Sequence, residues 1–204
     1  MYMNNVLVLG NGSIGKHLAK RFTEKKCNVI TATRNFDVHA IPKVQSVLWC
    51  QGVNCNDSIG SLNYSTYMNT IDVNLHYITR TLDDLVKYNK LDDCARCLII
   101  SSLWQEFSRE EKFSYTVSKA AIGGIVRSCS VDLGKRGIFI NALLPGPLDN
   151  EMTRAHLTQE QTDALPGFVN VDDLWYLTDY LCLHNTSTNG QSIIVDLGFS
   201  VKKM

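Results

Sequence analysis

Short apolar runs and helix-length amphipathic stretches take turns along the first half of the chain. Val6 to Leu9 is an unbroken apolar run of the kind shown by a strand buried on both faces. From Ser13 to about Lys26, Ile14, Leu18, Ala19 and Phe22 recur at helical spacing, with Lys16, Lys20 and Arg21 left for solvent. Val29 to Thr33 and Ser46 to Cys50, rich in β-branched and apolar residues, predict two further strands. Between them, Arg34 to Gln45 with Pro42 is too short for a crossover helix plus a strand, so the βαβ repeat is trimmed after the second strand. A helical region from about Tyr67 to Tyr88 follows, then a strand over Cys97 to Ser101. Next come a helix from about Phe113 to Leu133, closed by Gly134 and Gly137, and a strand over Ile138 to Leu144 that stops at Pro145-Gly146-Pro147. Asn170, with Asp173 three residues on, reads as the N-cap of a helix carrying Leu174, Leu177 and Leu181 on one face, and residues 193–195 close the sheet. Strands alternating with helices predict an α/β fold, a doubly wound parallel sheet in a three-layer α/β/α arrangement, as one domain over residues 1–204.

Composition narrows the function classes. The chain has 204 residues, 45% hydrophobic and 20% charged, with 13 Gly and 4 Pro, which is globular rather than disordered or collagen-like. Twenty basic and twenty acidic residues balance without a block of like charge, so no nucleic-acid or membrane footprint is expected and the partner is a small molecule or another subunit. With no basic-then-apolar leader and no run near the ~18 apolar residues of a membrane span, a soluble cytoplasmic protein is expected. Seven cysteines, an odd number scattered through strand and helix segments, suit buried thiols in a reducing compartment. The Cys94-x-x-Cys97 pair has no second Cys or His pair at zinc spacing, so it is read as structural and no metal is expected.

The chemistry begins at Gly10-Asn11-Gly12-Ser13-Ile14-Gly15, directly after the first strand and at the start of the first helix. That context fits a Rossmann-type dinucleotide fingerprint. Gly10 permits the tight turn, Gly12 lets the backbone approach a pyrophosphate, Gly15 lets helix and strand pack, and the free N–H groups of the helix start face the anion. After the second strand stands Thr33-Arg34-Asn35, a cation where an acid would bind the ribose hydroxyl of NAD(H). NADP(H) is therefore favoured over NAD(H). The competing reading leaves Arg34 as a solvated surface residue and lets Asp37 supply the acid.

Tyr115 and Lys119, four apart on the expected helix, share a face. Ser102 lies thirteen residues before Tyr115 at the carboxyl end of a strand, the edge where open α/β sheets bind ligands, and Asn74 sits in the helix upstream. Each has a bland alternative: a strand-end cap, a packed ring, a solvated amine or a helix-interior hydrogen bonder.

In their order, the motifs resemble those of the short-chain dehydrogenase/reductase family over nearly the whole chain. They are the glycine loop, Trp49-Cys50-Gln51-Gly52, Val73-Asn74, Ile100-Ser-Ser102, Tyr115-Thr-Val-Ser-Lys119-Ala-Ala, Asn141-Ala-Leu-Leu-Pro145-Gly146-Pro-Leu148-Asp149, and Asn189-Gly-Gln191 with Val195-Asp-Leu-Gly198-Phe. The resemblance implies a tetrad of Asn74, Ser102, Tyr115 and Lys119 that moves a hydride between NADP(H) and a carbonyl or secondary alcohol. Tyr115 would be the general acid/base, its pKa lowered by Lys119 and the oxidised nicotinamide. Ser102 would hold the substrate oxygen, Lys119 would also bind the nicotinamide ribose, and Asn74 would hold a water for proton resupply. Cys50, Gln51 and Gly52, and Pro145, Gly146 and Leu148, would line the cofactor site. A homodimer or homotetramer along the two long helices, with the pairs Ala120-Ala121 and Gly123-Gly124 permitting close approach, is implied as well.

The chain departs from the family pattern in four places. The glycine loop is one residue shorter than the commonest form, Trp49-Cys50-Gln51 replaces the usual Asn-Asn-Ala, Asn150 stands where a Thr is frequent, and the helix after the second strand is missing. Residues 151–168 are expected to form the substrate lid, with Met152, His156 and Leu157 as contacts, or else a plain amphipathic surface helix. The trimmed edge and altered Cys50-Gln51 also motivate a second reading, a catalytically weak NAD(P)-binding sensor or scaffold.

Overall fold

The computed structural model describes residues 4–202. Strands β1 (Asn5–Leu9), β2 (Asn28–Ala32), β3 (Val44–Trp49), β4 (Leu91–Ile100), β5 (Phe139–Pro145) and β6 (Ser192–Val195) form one sheet. All neighbours are parallel, in the order β2-β1-β3-β4-β5-β6. Helices α1 (Ser13–Glu24), α2 (Tyr64–Ile71), α3 (Tyr77–Lys87) and α4 (Phe113–Gly134) carry most of the crossovers. The short α5 (Glu151–Arg154) and α6 (Gln159–Asp163) precede α7 (Val171–Asp179), and α8 (Phe199–Lys202) ends the described chain.

Alternation along each strand explains the three layers. Leu7, Leu9, Val47, Trp49, Cys97, Ile99, Ile140 and Ala142 point to one face and pack with Ile78, Leu82 and Leu85 of α3 and Ile122 and Val126 of α4. Val6, Val8, Leu48, Leu98, Ile100 and Leu143 point to the other, against Leu18 and Phe22 of α1 and Trp175 of α7. A parallel sheet covered on both faces needs apolar residues at both parities, hence the unbroken apolar runs in the sequence.

From β1 the chain steps to β2 on one side and returns to β3 on the other, so the strand order reverses between β1 and β3. Such a switch point opens a crevice outside the carboxyl ends of the strands. Register sets its floor: Leu9 pairs with Trp49 and Trp49 with Ile99, so Gly10, Cys50 and Ile100 emerge together at that edge.

The trimming after β2 is real. Between β2 and β3 there is only one 3-10 turn, Val38–Ala40, capped by Asp37, whose Oδ1 accepts from His39 N at 2.9 Å. Several boundaries differ from the sequence expectation. The Thr33 expected in β2 lies just past its end, and β5 is shifted by one residue. Strand β4 begins at Leu91, six residues before the expected Cys97. Its first half is polar (Asp92, Asp93, Arg96), takes Cys94 through φ 64° and breaks register opposite Val44, so no strand period shows. The expected Tyr67–Tyr88 helix starts at Tyr64, where Asn63 Oδ1 accepts from Thr66 N at 3.0 Å, and is interrupted by a π turn over Asp72–His76. Asn170 does cap α7, through Asp172 N at 2.9 Å, but the reciprocal capping box sits at Thr158 and Gln161 instead. Cys97 is buried in β4 with its thiol pushed up to about 12 by burial, whereas Cys94 is exposed.

Candidate active site

Two adjoining compartments occupy the crevice. The larger, of about 550 Å³, runs from the glycine loop and Arg34 across Cys50, Gln51 and Gly52 to Tyr115 and Lys119. The smaller, of about 120 Å³, lies between the segments that follow β4 and β5; Ile14, Ser101, Tyr115, Asn150 and Met152 border both.

Each glycine of the loop has its own steric reason. Gly10 turns at φ 107°, and a Cβ there would lie 2.6 Å from Gln51 N. A Cβ on Gly15 would lie 2.1 Å from Gly10 O, because α1 rests directly on the turn. A Cβ on Gly12 would meet nothing within 4 Å. Gly12 is the N-cap of α1, so the first-turn N–H groups, which have no intrahelical partner, open into the cleft.

Next to the loop, Trp49 is fully buried and donates from Nε1 to Thr81 Oγ1 at 2.8 Å, tying β3 to α3. Cys50 is held as a neutral thiol, pushed up to about 12 by burial and pulled back in part by Lys119. Gln51 Oε1 is a buried acceptor without a hydrogen-bond partner, and so is the Ser101 hydroxyl. At the far end of the cleft Tyr77 donates to Thr33 O at 2.7 Å, and Arg80, paired with Asp72 at 3.1 Å, lines the same compartment as Arg34. The Asp37 carboxylate, by contrast, is committed to its own turn and lines neither compartment.

Ser102, Tyr115 and Lys119 meet where the compartments join. Tyr115 and Lys119 share the inner face of α4 and are 8% and 3% exposed, with Lys119 Nζ 5.7 Å from the centre of the phenol ring. The start of α4 is set by Asp57, whose carboxylate accepts from Ser114 N at 2.9 Å and from the Ser114 hydroxyl. Ser102 Oγ accepts from Trp104 N at 3.3 Å, capping a 3-10 turn, and lies close enough to the Tyr115 phenol to pull its pKa down. Asn74, fully buried in the π turn, accepts from Val53 N at 2.8 Å and donates to Val53 O and to Ser118 Oγ, both at 2.9 Å. Both of its amide hydrogens are thus engaged with protein. Its Oδ1 and Lys119 Nζ approach Gly52 together, 3.5 and 3.6 Å from where a Cβ would stand.

Burial governs the titration of this group. The Tyr115 phenol is pushed up to about 12 by burial, against a smaller downward pull from Ser102, and Lys119 is pushed down to about 8. The lowered Tyr115 pKa expected from the sequence involves the oxidised nicotinamide as well as Lys119; in the protein alone burial is the largest influence on the phenol.

A protein-family model described as Enoyl-(Acyl carrier protein) reductase matches residues 38–200. The chain belongs to the short-chain dehydrogenase/reductase family. Among the relatives of this short-chain dehydrogenase/reductase is the L-rhamnose 1-dehydrogenase (NADP(+)) of Thermoplasma acidophilum, 28% identical over 144 residues, which are 64% of this chain. They are 54% of that relative, so the chain spans about half the length of that curated protein. The fold is shared with a short chain dehydrogenase family protein from Francisella tularensis, with a TM-score of 0.87 at 19% identity, covering 98% of this chain and 100% of that one. It is also shared with BdcA in complex with NADPH, with a TM-score of 0.85 at 19% identity, covering 96% and 94%.

Most residues expected at the site of this short-chain dehydrogenase/reductase do come together. Gly10, Asn11, Gly12, Ser13, Ile14, Thr33, Arg34, Cys50, Gln51, Gly52, Tyr115 and Lys119 line the larger compartment. Gly15 packs beneath the loop, Asn74 is buried behind Val53, and Asn35 lines neither compartment. Pro145, Gly146 and Leu148, expected on the cofactor, border the smaller compartment with Ser102. Met152, His156 and Leu157, the expected lid contacts, also border that compartment, from α5 and the turn after it. Sequence reading missed Val53, Asp72, Tyr77, Arg80 and Ser101 in the larger compartment and Arg109 and Lys112 in the smaller one. Only Ser101, beside Ser102 at the end of a strand, carried a local signal.

Proposed function

We propose that the protein is an NADP(H)-dependent oxidoreductase interconverting a carbonyl compound and its secondary alcohol, with Tyr115 as general acid/base. The observation that carries this reading is the meeting of Ser102, Tyr115 and Lys119 at the junction of the two compartments. The larger compartment suits a dinucleotide. Its ~550 Å³ is in the range of cofactor sites, the space over Gly12 is open, and the buried Gln51 Oε1 and Ser101 hydroxyl lack partners that a ligand's hydrogen-bonding groups would provide. The relative named for NADP(+) and the BdcA fold holding NADPH favour the phosphorylated cofactor, and so do Arg34 and Arg80 at the far end of the cleft.

When bound, the cofactor supplies or accepts the hydride. In reduction the substrate carbon gains that hydride while the Tyr115 hydroxyl gives its proton to the carbonyl oxygen, leaving an alcohol and an oxidised cofactor. Ser102 donates to the same oxygen and fixes it beside the phenol. Lys119 holds the ribose hydroxyls with its ammonium and stabilises the tyrosinate left behind. Asn74 acts through the Gly52–Val53 backbone it clamps, keeping the floor of the cleft against Lys119. At neutral pH a phenol pushed up to about 12 is fully protonated and ready to donate, whereas the oxidation direction needs the cofactor's positive charge to form the phenolate. The subunits assemble as a homodimer or homotetramer, for which the exposed Tyr64, Met68 and Val131 of α2 and α4 supply apolar surface.

A fluorescence titration with NADPH and NADH tests the cofactor assignment. Arg34→Ala is expected to weaken NADPH binding by about 10- to 100-fold, the loss of a charge-assisted hydrogen bond, and to change NADH binding by less than about twofold. Equal losses for the two would remove Arg34 from 2′-phosphate recognition. The pH dependence has a definite sign. Lys119 loses its proton as pH rises through about 8, and with it the positive charge and one of the three N–H donors it offers the ribose. NADPH affinity is therefore expected to be greater at pH 7 than at pH 9.5, with Lys119→Met flattening the difference; an affinity that rises with pH in wild type would contradict the role given to Lys119.

A further inference from the structure

The smaller compartment is electrostatically one-sided. Arg109 and Lys112 border it beside Tyr115 and Ser102, and no Asp or Glu does. Lys112 is 2% exposed, and its ammonium donates to Asn54 Oδ1 at 2.8 Å, Cys55 O at 3.1 Å and Asn56 Oδ1 at 2.5 Å, three neutral acceptors. Arg109 donates from Nη2 to His156 O at 2.9 Å, while its Nε is buried without a partner. Neither cation is in an ion pair among the described residues. The carboxylates near enough to act on them through space are Asp57 and Glu111. Asp57 is bonded to Ser114, and neither acid borders the compartment.

Burial, and after it the neighbouring Arg109, push the Lys112 ammonium down to about 8, so at pH 7 it still carries its positive charge among neutral oxygens, and a buried guanidinium N–H without an acceptor is rare in native proteins. Both features are resolved by the same missing group, an anion in the compartment. Lys112 has no hydrogen left to donate, so it contributes charge alone, whereas Arg109 still has donors to give. Its planar fork matches a carboxylate better than it matches any neutral group.

We propose that the smaller compartment binds the carboxylate of the substrate, so that the carbonyl compound reduced here is a small oxo acid, and the alcohol the corresponding hydroxy acid. Arg109 hydrogen-bonds the carboxylate, Lys112 holds the compartment positive, and the carbonyl carbon then lies toward Tyr115 and Ser102 at the junction. This deepens the oxidoreductase reading and rests on it for the reacting carbonyl. The bond from Arg109 to His156 O also ties the cation to the lid, so an anion bound there is held by the segment that covers it.

Calorimetry on protein saturated with NADP(+) separates the two ideas. Malonate is expected to bind at least tenfold more tightly than the neutral malonamide, with Arg109→Gln erasing the difference and Arg109→Lys restoring part of it. In kinetics with NADPH, pyruvate, 2-oxobutyrate and acetoacetate are each compared with their methyl esters. At least one acid should exceed its ester tenfold or more in kcat/KM, and Arg109→Gln should reduce that ratio through KM. Malonate and malonamide binding alike, or an acid preference that survives Arg109→Gln, overturns the proposal. If malonate binds through Arg109 but neither acids nor esters are reduced, the anion site stands and the oxidoreductase reading falls instead. Arg109 is half-buried at the lid, so its variants are expected to fold; melting curves that match wild type verify this before either comparison.

Discussion

Tyr115→Phe is expected to lower the rate of NADPH-dependent carbonyl reduction by about 10²- to 10⁴-fold, the span of general acid–base contributions, and to leave NADPH binding within about twofold of wild type. The expectation follows from where the hydroxyl is. The ring is 8% exposed and packed, so phenylalanine keeps its contacts, while the lost hydroxyl is the one beside Ser102 at the junction of the compartments. Stopped-flow reduction and a fluorescence titration on the same preparation read the two quantities separately. A variant that retains a tenth or more of the wild-type rate would take the proton from some other donor and remove Tyr115 from the chemistry. A variant that loses the rate and the cofactor together would mean that the ring, not its hydroxyl, shapes the site.

The second large effect divides two glycines three residues apart. Gly15→Ala places a methyl 2.1 Å from Gly10 O, a contact that only movement of α1 or of the turn can relieve. Overpacking against backbone costs about 1–3 kcal/mol or more, and a chain of this length loses roughly 2–4 °C of Tm per kcal/mol, so a fall of several degrees is expected with cofactor binding lost alongside. Gly12→Ala places its methyl in open space at an N-cap with φ −65°, a conformation alanine adopts freely. Its Tm is expected to stay within about 2 °C of wild type, while NADPH affinity drops about tenfold or more because the methyl occupies the approach to the pyrophosphate. Calorimetric melting with and without NADPH measures both. The fold and the site are thereby separated: if Gly12→Ala binds NADPH as wild type does, the phosphate does not lie over the start of α1.

What could be read from the chain followed the range over which each signal acts. The glycine loop, the βα alternation and the trimmed connection are local facts of spacing, and the structure returns them with shifts of a residue or so. Local reading failed where polarity and burial part company. Half of the segment from Leu91 to Arg96 is charged and one residue stands at positive φ, yet backbone pairing with β3 keeps it in the sheet. Lys112 reads as a solvated residue at a helix start, but three oxygens from the loop after β3, more than fifty residues earlier, fold over it. Tyr77 and Arg80 looked like ordinary helix residues; what brings them to the larger compartment is long-range, the packing of α3 against the sheet and the bond from Tyr77 to Thr33 O. The sequence likewise shows the charge of Lys119 but not how completely the Tyr115 phenol is shut away from water, which raises its pKa in the protein alone.

The π turn between α2 and α3 acts as a shared fulcrum. On one arm Asn74 grips Val53 and, through Ser118, the helix bearing Tyr115 and Lys119; on the other Tyr77 grips Thr33 beside Arg34. In a sheet without a further strand and helix beyond β2, this single bend reaches both ends of the cleft. One irregular turn and the residue that follows it thus carry a contact to each end of the cleft.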